Sequence, residues 1–118
     1  MSVESDLRKD GIEVIKAIDT LTINSIANNI ATKICETFPN YGLNSNELFI
    51  KLSRLNMYKA KMPEGMAEAN YFYKNTSIYF NEHISDEDLE EFAIHECIHY
   101  IQEVKDKRNY LFRMGLCD

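Results

Sequence analysis

Ile23, Ile26, Ile30, Ile34 and Phe38 recur at steps of three and four residues. That period puts them on one stripe and predicts a long amphipathic helix, which Pro39, Asn40 and Gly42 then stop. Upstream, Leu7, Ile12, Ile15 and Ile18 keep a looser helical spacing across Gly11, so a first helix is expected from Asp6 to Ile18. Asn44 or Ser45 is placed to cap a further helix whose Leu48, Phe49, Leu52 and Leu55 face inward. After Pro63-Glu64-Gly65 the period shortens to two. Ala67, Ala69, Tyr71 and Tyr73 alternate with Glu68, Asn70 and Phe72, which predicts a strand from Ala67 to Tyr73. Lys74-Asn75-Thr76 turns the chain into a second strand, Ser77 to Asn81, making a hairpin, and Met57 to Lys61 supplies a third strand. Ser85 with Asp88 three residues on forms a capping-box signature, and Leu89, Phe92, Ile94, Ile98, Ile101 and Val104 continue as a helix from Asp86 to Val104. The expected fold is α+β, with a small antiparallel sheet packed on the isoleucine-striped helix and on this last helix.

Composition narrows the picture. The 118 residues fit one domain over residues 1–118, and no repeat or Pro/Gly/Ser-rich linker divides them. A formal net charge of −6 leaves no basic stripe for a phosphate backbone, so nucleic acid is not expected as a partner. Cys35, Cys97 and Cys117 are widely spaced with no CxxC pair, which predicts reduced thiols and a cytoplasmic protein. The polar N-terminus has no apolar signal core, and no apolar run approaches the roughly 18 residues of a membrane span, so no membrane partner is expected.

One pentapeptide carries chemistry. His95-Glu96-Cys97-Ile98-His99 reads HExxH on the last helix. Histidines four apart lie one above the other, so both imidazoles can reach one metal ion from the same side. Glu96 projects about 100° around the helix from His95 and can flank the site without ligating. Zinc suits such a site because it accepts imidazole nitrogens and lowers the pKa of bound water toward neutrality.

From Ala67 to Gln102 the chain resembles the active-site half of an HExxH zinc metallopeptidase of the zincin superfamily, gluzincin-like in form. The resemblance implies zinc as cofactor, His95 and His99 as its ligands, Glu96 as general base, and a protein or peptide substrate. It also implies that Ala67 to Tyr73 is an edge strand along a cleft, with the isoleucine-striped helix as the backing helix. The longer HExxHxxGxxH form is absent, since Gln102 and Lys105 stand where its glycine and histidine belong. Glu103 lies two turns from His95, about 12 Å along the axis, too far to share one ion. Asp106 sits in a charged run, Asp118 is terminal, and His83 precedes the helix. A chain cut short before its third-ligand helix is therefore expected, with no carboxylate from residues 100–117 reaching the histidines. Leu111, Phe112, Met114 and Leu116 also need a surface to bury against, in a continuation of the chain or in a partner such as a second copy. The alternative is a non-catalytic zincin-like binding or regulatory module with an incomplete metal site. The aromatic run Tyr71, Phe72, Tyr73, Tyr79 and Phe80 is expected to pack the sheet, Cys97 to be a small buried residue, and Tyr110 is a candidate oxyanion donor.

Overall fold

A computed structural model describes residues 7–105. Its element order is β1 (Glu13–Ala17), α1 (Thr20–Thr37), α2 (Ser45–Ser53), β2 (Asn56–Lys61), β3 (Ala69–Phe72), β4 (Ser77–Asn81) and α3 (Leu89–Lys105). Short 3-10 turns at Pro39–Tyr41 and Asp86–Asp88 precede α2 and α3.

The architecture is α+β: a four-stranded sheet in the order β1-β2-β4-β3 with the helices on one face. The isoleucine stripe behaves as its period dictates. Ile23, Ile26, Ile30 and Ile34 are all buried, and each buried side chain of this size contributes about 1.5–3 kcal/mol. They join Leu48, Leu52, Leu55, Met57, Ile78, Phe80, Leu89, Ala93 and Cys97 in one core between helices and sheet. Phe38 departs from the stripe: it is the C-cap of α1 and is exposed. A smaller cluster of Leu7, Ile12, Ala60 and Tyr79 covers part of the opposite sheet face.

The structure corrects the expected helix from Asp6 to Ile18. Residues 7–9 are helical, but Gly11 sits at φ +78°. Its N–H donates to the Arg8 carbonyl (3.0 Å) and the Ile12 N–H donates to the Leu7 carbonyl (2.8 Å). This is a Schellman stop, which needs a left-handed residue and ends the helix. The β-branched residues beyond it, Val14 and Ile15, then run as strand β1.

The sheet is mixed where a wholly antiparallel one was expected. β1 pairs antiparallel with β2, and β3 antiparallel with β4, but β2 and β4 are parallel, Asn56 opposite Ser77 through Ala60 opposite Asn81. Burial explains the order. Ser77, Ile78, Tyr79 and Phe80 are all at most 2% exposed, so β4 needs neighbours on both edges and covers on both faces. The hairpin therefore folds back to insert β4 beside β2 and leaves β3, shorter than the expected Ala67 to Tyr73, at the edge. β4 itself has the bounds its sequence predicts. Among the described residues, no helix is long and apolar enough to cross a membrane.

Candidate metal centre

α3 is built to bury one face and show another. Leu89, Ala93, Cys97 and Tyr100, spaced by four, four and three, are buried against the sheet and α1. His95 and His99 fall away from that face. The His95 side chain is 73% exposed, and the His99 residue is half-buried. Their rings meet edge to face with centroids 4.6 Å apart, and the two Nε2 atoms are 3.0 Å apart. Two ring nitrogens at that distance either share a proton or converge on one cation.

Glu96 occupies the boundary between the two faces. It is 7% exposed, and a carboxylate so placed is costly unless hydrogen-bonded. Its Oε1 accepts the backbone N–H of Tyr71 on β3 at 2.8 Å, while its Oε2 lies 3.8 Å from His95 Nε2. The Tyr71 ring packs on Tyr100 of α3, centroids 5.7 Å apart. His95, Glu96 and His99 each offer a ligand atom within 4.8 Å of the others, and this group could hold a metal ion.

The remaining candidates within the described residues fall elsewhere. Glu103 is outside the group, as the axial distance requires. His83 pairs with Glu68, Nε2 to Oε2 at 2.6 Å. Asp106, Tyr110, Asp118, Cys117 and the apolar residues from Leu111 to Leu116 lie outside the described residues. Cys97 is fully buried, and burial first, the neighbouring Glu96 charge second, pushes its thiol up to about 12. It is a core residue and no ligand. Two acids of the run around the start of α3 pair with lysines: Asp86 with Lys59 at 2.7 Å and Glu90 with Lys33 at 2.6 Å. Those lysine hydrogen bonds hold both carboxyls below their usual range. Ser85 does not accept the expected capping hydrogen bond; its hydroxyl donates to Asp88 Oδ2 at 3.0 Å. The aromatic run divides between faces, Phe72 stacking edge-on to Tyr79 on one and Tyr71 meeting Tyr100 on the other.

The Tyr71 amide was missed by sequence reasoning, because a backbone N–H carries no residue-type signal. Only strand parity points to it. The Asn81 N–H donates to the Glu68 carbonyl, so residues 68, 70 and 72 face β4 and Tyr71 faces out of the sheet edge. No protein-family model, curated protein or solved structure matches this chain.

Proposed function

We propose that this chain is a zinc-dependent metallopeptidase of the zincin kind that hydrolyses a peptide bond in a cytoplasmic protein or peptide, with His95 and His99 as ligands and Glu96 as general base. The observation that carries the reading is the approach of two imidazole nitrogens to 3.0 Å beside a carboxylate that the sheet edge holds in place. Zinc fits this donor set. Two nitrogens at 2.0–2.1 Å from a tetrahedral ion stand about 3.3 Å apart, so the rings need to open by only a few tenths of an ångström. When bound, zinc supplies a water of lowered pKa and polarises the scissile carbonyl. Glu96 supplies the proton traffic: its carboxylate accepts a proton from the attacking water and returns it to the leaving amine. His95 and His99 are two of the three protein ligands that a catalytic zinc takes.

Glu96→Gln is the direct test. Glutamine keeps an amide oxygen to accept the Tyr71 N–H, so fold and zinc content should stay as they are. Cleavage of a quenched-fluorescent peptide mixture should fall by about 100-fold or more, the usual scale of general-base loss. Retained cleavage would reject Glu96 as the base. A second reading, a non-catalytic zincin-like module, draws support from the same hydrogen bond, since tying α3 to β3 is work Glu96 does without any reaction. Metal analysis separates the two. Roughly one zinc per chain held at micromolar affinity or better supports the enzyme, and no zinc supports the module.

A further inference from the structure

We infer that the backbone amide of Tyr71 is a positioning group for Glu96: by holding Oε1 it commits Oε2 to the proton transfer. This inference rests on the reading of Glu96 as general base and adds to it an orientation device on the sheet edge. A glutamate on a helix has three rotatable bonds, and its two oxygens are chemically equivalent until something distinguishes them. Here the distinction is made by the fold. Oε1 is 2.8 Å from the Tyr71 nitrogen, and Oε2 is the oxygen directed at the histidine pair, 3.8 Å from His95 Nε2. The bond is sheltered, since Glu96 is 7% exposed, and a hydrogen bond to a charged acceptor in such a place is among the stronger ones.

The amide is available for this work because of where β3 lies. As the outer strand it pairs, among the described residues, only with β4, and Tyr71 presents its N–H to the side away from β4. An unpaired edge amide ordinarily faces water or an incoming strand. On this edge it is spent on the glutamate, and the Tyr71 and Tyr100 rings pack nearby, centroids 5.7 Å apart. A peptide that adds to β3 therefore meets an edge whose Tyr71 donor is already engaged.

The experiment compares Tyr71→Pro, which removes the amide hydrogen, with Tyr71→Ala, which removes the ring but keeps the amide. Proline is tolerated here on two counts: an edge strand loses no ladder bond at an outward N–H, and Asn70 before it is already extended. In the unaltered full chain the Tyr71 amide should exchange its hydrogen slowly despite its edge position. That protection should persist in Glu96→Gln and vanish in Glu96→Ala. With zinc supplied, Tyr71→Pro should lower kcat by about 10²-fold relative to Tyr71→Ala, the penalty expected for a misplaced catalytic group. KM and zinc affinity should match those of Tyr71→Ala. A Tyr71 amide that exchanges at the unprotected rate, or exchanges slowly in Glu96→Ala as well, overturns the inference. Equal kcat in the proline and alanine chains also overturns it and leaves Glu96 as base. If the Tyr71 amide is protected through Glu96 but the zinc-loaded unaltered chain cleaves nothing, it is the base assignment that fails. The positioning role falls with it, while the exchange data still show the hydrogen bond.

Discussion

At the scale of single residues, the helix converts a sequence spacing into a distance. His95 and His99 are one turn apart, and nothing but the 3.6-residue period is needed to bring their Nε2 atoms together. The 73% exposure of the His95 side chain means that it supports little of the core. His95→Ala is therefore expected to leave the thermal midpoint nearly unchanged, as surface substitutions do. Zinc affinity should weaken by more than the about 10–100-fold typical of losing an outer-shell partner, as read by competition with a chromophoric chelator. An unchanged affinity would remove His95 from the ligand set. Glu96 differs in kind. Its neighbour in sequence, Cys97, faces wholly inward and His95 faces outward, so the motif straddles the boundary of the core.

At the scale of elements, local chemistry decides where helices begin and stop. Asn44 Oδ1 accepts the N–H groups of Asn46 at 2.9 Å and Glu47 at 3.0 Å, satisfying two of the donors that the first turn of α2 leaves open. Asn44→Ala should cost about 1 kcal/mol in urea unfolding, whereas Asn44→Asp should cost little. Equal losses in the two chains would argue against the cap. Asp19 does the same for α1 through the Thr22 N–H and hydroxyl, and those hydrogen bonds hold its carboxyl below the usual range. The N-terminal strand shows the limit of periodicity. Leu7, Ile12, Ile15 and Ile18 fit a helix on spacing, but Gly11 at φ +78° closes the Schellman stop, and the segment beyond it pairs with β2.

At the scale of the whole molecule, the core holds protons that the unfolded chain would release in alkali. Burial raises the Cys97 thiol to about 12 and also raises the hydroxyls of Tyr79 and Tyr100. Below the unfolded thiol value of 9.0 both states keep the proton, and this part of the stability is fully present. Between there and about 12 the unfolded state loses the proton while the folded state keeps it, so stability falls as pH rises. Urea midpoints measured across that window should decline, and the decline should be shallower in Cys97→Ala, whatever that substitution costs at neutral pH. An identical slope in both chains would show that Cys97 takes no part in the alkaline loss.

What the sequence determined by itself was carried by near neighbours. It contained the helical stripe of α1, a cap at Asn44 or Ser45, the bounds of β4, and the shared face of His95 and His99. Each of these depends on residues within about one turn or one hairpin, where a period of 3.6 or 2 maps directly onto geometry. The tertiary structure alone decided the parallel pairing of β2 with β4, the place of β3 at the edge, and the hydrogen bond from Tyr71 to Glu96. These join residues up to 25 apart, and each uses backbone groups that carry no residue-type signal. They follow only once a strand buried on both faces has claimed the centre of the sheet.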